Sequence, residues 1–405
     1  MALDEPSAQL NAELRSSVVD SLASRRPVLH HLNDDTTWLL QIPRPEAAVR
    51  HGARLYYNIL IDPWFRGGQT DIASWFSRQF HATPSAVQSI AELEELIREV
   101  ERSAMESEPA VNKRRTRDLE DFVAAEESLI DAIAINHEFT DHCHKETLLE
   151  VNRNVPIFAW KEAVKMIESW KHFRSVTAIV EFGSDCDSDW RNTSIPPLPE
   201  WIGISRLTKS DLHAAMMFTF NNRRANSQAR LAKVQAAQTN GYTFDGKVKG
   251  HHETIQPNED DESAEALIYT PHGLPSSDFQ IVRDASPPIS CLALLHGLHN
   301  VRLGTATGLT ALQINLGSHN GLRSQRILNA DYWIGTHDED KKGRGLIAWF
   351  LQRDILTVRD ALLQEFKARR GGKGDAPDRD VVTVLDSSEA ANWVDLRNGE
   401  SRVLL

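Results

Sequence analysis

The chain has 405 residues, of which 41% are apolar and 25% are charged, and its formal net charge is -12. This composition is ordinary for a globular protein, and an acidic chain is poorly suited to neutralising the phosphates of nucleic acid. No stretch reaches the ~18 uninterrupted apolar residues of a membrane-spanning helix. The first 24 residues contain no apolar signal core, and three cysteines are too few for a disulfide framework. We therefore expect a cytoplasmic protein without a membrane span or a nucleic-acid partner.

The first half of the chain alternates strand-like and helix-like segments. Residues 1–30 are interpreted as a polar N-terminal extension with one helical patch. Aromatic and β-branched runs predict strands, and apolar residues at helical spacing predict helices. The predicted strands are 38–42, 55–61, 129–135, 156–159 and 176–182, and the predicted helices are 74–102, 145–152 and 161–170. This succession indicates a layered α/β fold.

The second half opens with a polar segment and then returns to strands. Residues 205–262 are interpreted as a variable insertion, in which His213, Met216 and Met217 have a helix-like spacing. After it, the predicted strands are 266–270, 289–295, 309–316, 330–335 and 381–385, and the clearest predicted helix is 345–369. Together with the first half, these elements predict one domain over residues 31–405 that carries the insertion.

A dense group of polar side chains follows the apolar run 129–135. Residues 136–144 contain His137, Asp141, His142 and His144 together with Cys143. Neutral imidazole nitrogens and a carboxylate oxygen suit zinc and its borderline neighbours. A polar loop with chance histidines is the competing interpretation, but the position directly after a strand favours a metal site.

Two later strands also end at a histidine. The run 266–270 leads into Pro271-His272, and the run 330–335 leads into Thr336-His337. Strands of one sheet system can bring their ends to the same rim, where sites of layered α/β folds commonly lie. A single histidine at a strand end is usually structural, and we expect this of His296 and His299. Three such strand ends instead indicate a shared metal centre.

With these motifs, the sequence resembles the metallo-β-lactamase superfamily over roughly residues 37–396. The family motif His-x-His-x-Asp-His corresponds to His137-Glu138-Phe139-Thr140-Asp141-His142, and the later family histidines correspond to His272 and His337. The opening strand, ending in Ile61-Asp62-Pro63, is most similar to the branch that contains ascorbate-phosphate lactonases. The resemblance implies a four-layer αββα sandwich.

Two departures from the family pattern make the implied centre asymmetric. Phe139 stands in place of the second motif histidine, and no aspartate is present near Gly317-Ser318-His319, where the bridging carboxylate is expected. The resemblance therefore implies one complete set of ligands, Asp141, His142 and His337. It leaves His137 and His272 for a weaker second ion, with help from His319 or His144, or for an empty site.

The implied function is that of a metal-dependent hydrolase acting on a small-molecule ester, lactone or amide. One zinc ion is expected, with a second ion and manganese or iron as the alternatives. Asp141 would combine ligation with orienting the water, His137 or His272 would act as the general acid or base, and Asp62 would accept a hydrogen bond from a ligating imidazole. The alternatives are a phosphodiesterase or phospholipase-like hydrolase and a metal-poor binding protein that has lost catalysis.

Overall fold

The computed structural model describes residues 18, 21, 26–45, 48–49, 54–70, 77–107, 128–184, 188–208, 210, 212–222, 262–304, 310–344, 349–369 and 388–405. Two seven-stranded sheets dominate it. The first sheet has the strand order β20-β1-β2-β3-β6-β7-β8. Its strands are β1 Val28–His31, β2 Trp38–Pro43, β3 Tyr56–Ile61, β6 Ala132–Ile135, β7 Ile157–Ala159, β8 Val176–Ala178 and β20 Ser401–Val403.

The second sheet has the strand order β19-β16-β13-β12-β11-β10-β9. Its strands are β9 Val180–Glu181, β10 Ile202–Thr208, β11 Ala214–Phe220, β12 Ala264–Thr270, β13 Ile289–His296, β16 Tyr332–Ile334 and β19 Trp393–Val394. Parallel pairings join β12 to β13 and β13 to β16. In the first sheet, parallel pairings join β3 to β6 and β6 to β7.

The side chains of the strands alternate between an inner and an outer core. In β3 and β2, Ile59, Ile61 and Leu40 belong to the cluster shared with the second sheet, whereas Leu60 and Leu39 belong to a different cluster. This alternation is the two-residue period of a strand with both faces covered. The inner cluster contains Phe218 and Leu267 from the second sheet, so the two sheets pack face to face.

Helices cover the outer face of each sheet. On the first sheet, α1 Ile90–Ser107 and α3 Lys161–Ser169 supply Leu93, Ile97 and Ile167 to the outer cluster. On the second sheet, α4 Gln280–Arg283 and α5 Gly317–Leu328 supply Val282 and Leu328. The order helix, sheet, sheet, helix confirms the predicted four-layer αββα sandwich. The short helix α2 Lys145–Leu148 lies between β6 and β7 in sequence.

The remaining described strands form two small sheets, and one further α-helix lies near the C-terminus. One sheet has the order β15-β14-β18 and the other the order β17-β5-β4. Their strands are β4 Gly68–Gln69, β5 Arg78–Phe80, β14 Asn300–Gly304, β15 Thr310–Leu316, β17 Lys342–Arg344 and β18 Leu351–Asp354, and the helix is α6 Val358–Arg369. None of the described helices is long and apolar enough to cross a membrane.

Two helix predictions are wrong, and a third, over 74–102, begins too early, because 78–80 is a strand and α1 starts at Ile90. The segment with His213, Met216 and Met217 leads into β11, a fully buried strand between β10 and β12. A short apolar run that is buried on both faces has no period that separates a strand from a helix. The predicted helix over 345–369 is shorter than expected, because 351–354 is a strand and α6 starts only at Val358.

The start of α6 has a local cause. Thr357 Oγ1 accepts a hydrogen bond from the Asp360 N–H, and Asp360 Oδ2 accepts one from the Thr357 N–H. This reciprocal cap satisfies two backbone donors at a helix N-terminus.

Three predicted segments lie outside the described residues. They are the strand 381–385, residues 223–261 of the predicted insertion and most of the N-terminal extension. The domain boundaries therefore remain predictions.

Candidate metal centre

Three strand ends deliver four imidazole rings to one place. His137 and His142 follow β6, His272 follows β12 and His337 follows β16. The ring centroids of His142 and His272 are 5.2 Å apart, those of His272 and His337 are 4.9 Å apart, and those of His142 and His337 are 5.3 Å apart. His137 lies 5.0 Å from His272 and 5.5 Å from His142. All four rings are buried or nearly so.

His142 is oriented by Asp62, the residue that follows β3. The His142 Nδ1–H donates to Asp62 Oδ2 over 2.7 Å, and the other carboxylate oxygen accepts from the Asn136 N–H over 2.8 Å. Asp62 is fully buried and has φ +42°, a conformation that costs energy for a residue with a side chain. The expected role of Asp62 as an acceptor for a motif histidine is thus present in the structure.

His337 and His272 are oriented in the same way. The His337 Nδ1–H donates to Asp35 Oδ1 over 2.9 Å, and the His272 Nδ1–H donates to Asn315 Oδ1 over 2.9 Å. His337 also has a positive φ of +59°, and its backbone N–H donates to the Asp35 carbonyl. In the neutral form of each ring the proton is therefore on Nδ1, which leaves the Nε2 lone pair available to a cation.

These three rings could hold a metal ion. One ring nitrogen from each of His142, His272 and His337 lies within 4.8 Å of the other two. The Nε2 atoms of His142 and His272 are buried without any hydrogen-bond partner, which is costly for a polar atom unless something else binds it. Three imidazole nitrogens, each fixed through its other nitrogen by an oxygen acceptor, match the way zinc-type ions are bound in proteins.

Asp141 adds a carboxylate to the three rings. Its Oδ1 lies 3.8 Å from His142 Nε2, and its Oδ2 lies 3.9 Å from His337 Nε2. The same Oδ2 accepts a hydrogen bond over 2.8 Å from the ammonium of Lys341, which also contacts Asp35 Oδ2 at 2.6 Å. The lysine side chain is only 6% exposed. A buried ammonium between two buried carboxylates therefore forms part of the centre.

The charged groups of the centre and their burial shift the pKa values of its side chains. Burial by itself would raise the pKa of Asp141, but Lys341, His142 and His337 hold it well below its usual range. Burial would likewise lower the pKa of Lys341, but Asp141 and Asp35 raise it above its usual value. Burial and the neighbouring imidazoles hold the pKa of His272 well below its usual value, so this ring is neutral and able to bind a cation.

His137 has a different environment from the other three rings. Its Nε2–H donates to the Leu212 carbonyl over 3.1 Å, whereas its Nδ1 has no hydrogen-bond partner and lies 3.7 Å from Glu138 Oε2. Burial lowers the pKa of His137, the neighbouring His142 and Arg206 lower it further, and Glu138 opposes this shift. Phe139 stacks on the ring with centroids 5.1 Å apart. The phenyl ring thus fills space beside His137 and offers no ligand.

The structure groups the predicted residues differently from the sequence-based assignment. His272, which was assigned with His137 to a separate weaker site, shares a potential donor group with His142 and His337. His144 instead caps α2 through Thr147, and His319 lies on α5 and lines a cavity with residues of α6. Neither belongs to a potential metal-binding group among the described residues.

His296 and His299, which the sequence predicts to be structural, have ordinary partners. His296 Nδ1 donates to the Gly297 carbonyl, and its Nε2 accepts from the Asn320 amide over 3.0 Å. His299 contacts Arg353. Cys143 and Cys291 are buried free thiols, and Cys143 packs in the outer core of the first sheet.

Sequence reasoning missed three residues of the centre, Asp35, Asn315 and Lys341. Asp35 lies in the short connection between β1 and β2, Asn315 is the penultimate residue of β15 and Lys341 precedes β17. No motif marks them, because their roles come from long-range pairings such as Asp35 with His337. A carboxylate close before an aromatic strand, as in Asp35 before Trp38, was the only signal in the sequence.

Comparison with known proteins gives a distant likeness in structure alone. No protein-family model matches the chain, and no curated protein matches it in sequence. Similar solved structures include a possible metal-dependent hydrolase from Veillonella parvula, with 11% identity and a TM-score of 0.42, over 94% of this chain and 100% of that one. An isothiocyanate hydrolase from Delia radicum gut bacteria has 11% identity and a TM-score of 0.43, over 93% of this chain and 98% of that one.

A third similar structure is the metallo-beta-lactamase fold protein YhfI from Bacillus subtilis. It has 11% identity and a TM-score of 0.37, over 93% of this chain and 98% of that one. With identities and TM-scores this low, these likenesses set neither the family nor the activity of the chain. The functional inference therefore depends on the geometry of the centre.

Proposed function

We propose that the chain is a metal-dependent hydrolase of the metallo-β-lactamase type, with one zinc-like ion held by His142, His272 and His337 and with Asp141 beside it. The observation that carries this proposal is the common orientation of the three rings. Each Nδ1 is bonded to an oxygen acceptor, so that three Nε2 atoms face one position at the ends of β6, β12 and β16.

The charge of the centre also favours a cation. Three buried carboxylates surround the rings: Asp35, Asp62 and Asp141. Among the described side chains, the ammonium that contacts Asp35 and Asp141 belongs to Lys341. A divalent ion would compensate the remaining negative charge, as buried charges require. When bound, such an ion supplies a Lewis acid that polarises a carbonyl group and acidifies a water molecule.

The other residues have separate tasks in this proposal. Asp141 would orient a water molecule through Oδ1, which lies 3.8 Å from His142 Nε2, while Lys341 holds its Oδ2. His137 would act as the general base and accept the proton of that water molecule at Nδ1, since its Nε2–H is committed to the Leu212 carbonyl. Glu138, at 3.7 Å from Nδ1, would stabilise the resulting imidazolium.

The proposed substrate is a small ester, lactone or amide. The chain as a whole is acidic, with a formal net charge of -12. This negative potential disfavours anionic phosphodiesters and nucleic acid and is compatible with an uncharged carbonyl compound. Two buried free thiols agree with the proposed cytoplasmic location.

The deciding experiment is metal analysis of protein purified without chelator, by inductively coupled plasma mass spectrometry. We expect one divalent ion per chain, and we expect it to be lost in His142→Ala, His272→Ala and His337→Ala. The matched control is His299→Ala, because His299 is a partly buried histidine outside the three-ring group. Absence of bound metal in the wild-type chain, even after incubation with zinc, manganese or iron, would refute the proposal.

A substrate screen completes the test. Lactone, lactam, simple ester and phosphodiester substrates are compared for the wild type and His137→Ala at equal metal content. Hydrolysis of a carbonyl substrate that falls in His137→Ala supports the assigned reaction, whereas activity confined to the phosphodiester would replace it with the alternative.

A further inference from the structure

The centre contains two potential donor groups that overlap. The first consists of His142, His272 and His337, and the second consists of Asp35, Asp141 and His337. Within each group the donor atoms lie within 4.8 Å of one another. By donor geometry alone, the centre could therefore accommodate two cations, one on the imidazole side and one on the carboxylate side.

The carboxylate side already holds a positive charge. Lys341 Nζ lies 2.6 Å from Asp35 Oδ2 and 2.8 Å from Asp141 Oδ2. These are the lengths of charge-assisted hydrogen bonds. A metal ion bound to the same carboxylate oxygens at ~2.1 Å would occupy the space of the ammonium.

The packing around Lys341 keeps the ammonium in place. The side chain is 6% exposed, and Nζ lies 5.2 Å from the centroid of the Trp64 ring, which favours a cation. Asp35 is fully buried and Asp141 is 7% exposed, so both ionised carboxylates need a permanent positive partner. Removing the lysine would leave two adjacent buried anions.

We propose that the Lys341 ammonium is a built-in second cation, so that this centre takes up one metal ion and excludes a second. This inference rests on the proposed function, because it presupposes an ion on the imidazole side. Asp141 then lies between two cations: Oδ2 bonds to Lys341, and Oδ1 remains on the side of His142. The sequence lacks the aspartate that would bridge two metal ions near Gly317. In its place, Asp141 would lie between a single metal ion and the ammonium of Lys341.

The test is the stoichiometry of metal binding, measured by native mass spectrometry and by zinc titration. Lys341→Met removes the charge and keeps an unbranched apolar side chain, whereas Lys341→Arg is the control that keeps the charge. We expect one ion per chain in the wild type and in Lys341→Arg, and two in Lys341→Met. The second equivalent should also raise the melting temperature of Lys341→Met and leave that of the wild type unchanged.

The outcomes separate this inference from the proposed function. A wild-type chain without metal refutes the proposed function itself. One ion in both the wild type and Lys341→Met leaves that function standing and overturns the role of Lys341. If Lys341→Met does not fold, titration of the wild type decides: saturation at one equivalent supports the inference, and uptake of a second ion overturns it.

Discussion

Asp62→Asn is the most selective test of the centre, because it changes only the carboxylate oxygen that faces His142, Oδ2, into an NH2 group. The amide oxygen can still accept from the Asn136 N–H, which bonds to Oδ1 over 2.8 Å. The new NH2 group, however, takes the place of Oδ2, which accepts from His142 Nδ1–H over 2.7 Å. Two donors would then oppose each other.

The expected effect follows from the tautomers of His142. The ring can relieve the conflict by moving its proton to Nε2, so that Nδ1 accepts from the amide. Nε2 then has no lone pair for a metal ion. Loss of an oxygen partner of this kind lowers metal affinity by roughly 10–100-fold, which is about 1.4–2.8 kcal/mol.

The assay is competition for zinc against a chromogenic chelator, with circular dichroism as the check on folding. Asp34→Asn is the matched control, since it also replaces a carboxylate by an amide. Asp34 precedes Asp35 in the chain, its Oδ1 accepts from the Asn398 N–H, and it contacts no imidazole of the centre. We expect Asp34→Asn to bind zinc as the wild type does. If Asp62→Asn retained wild-type affinity while folded, the tautomer argument would be refuted.

Two further predictions concern stability. Burial raises the pKa of Glu101 from 4.5 to about 7, so the stability that its protonated form contributes is fully present below pH 4.5 and is lost as the pH rises through about 7. Between about pH 5 and pH 8, urea unfolding should show a loss of about 3 kcal/mol in the free energy of unfolding, and this loss should be absent in Glu101→Gln. Parallel pH profiles of the two proteins would contradict this assignment. Asp131 accepts from Arg44 and Arg54 over 2.6 Å each. Asp131→Ala should therefore cost about 3 kcal/mol in urea unfolding, and a cost below about 1 kcal/mol would show that the two guanidinium groups find other partners.

Much of the layered fold was predictable because buried strands have a distinctive composition. The runs that became β2, β3, β6, β12, β13 and β16 are rich in β-branched, aromatic and other apolar residues and end at polar or turn residues. Where this signal was ambiguous, prediction failed: β11 is buried on both faces, and its residues Met216 and Met217 fit a helix equally well.

The candidate residues of the centre were recognisable in the sequence but their grouping was not, and their role as metal ligands stays a prediction. His142, His272 and His337 were visible because each closely follows a strand end. Their assignment to two sites relied on the family pattern, and spacing along the chain carries no information on which rings converge. The distances between ring centroids, 4.9–5.3 Å for these three, come from the tertiary fold, in which β12 and β16 flank β13 in the second sheet and β6 lies in the first sheet packed against it.

By itself, the sequence determined the layered strands and the cluster 137–142, since both depend on short-range periodicity and on residues that are adjacent in the chain. Only the tertiary structure decided which charges surround that cluster. Lys341 is separated from Asp141 by 200 positions and from Asp35 by more, yet its ammonium lies within hydrogen-bond distance of both. Such contacts form because two sheets close on each other, and no local pattern records them.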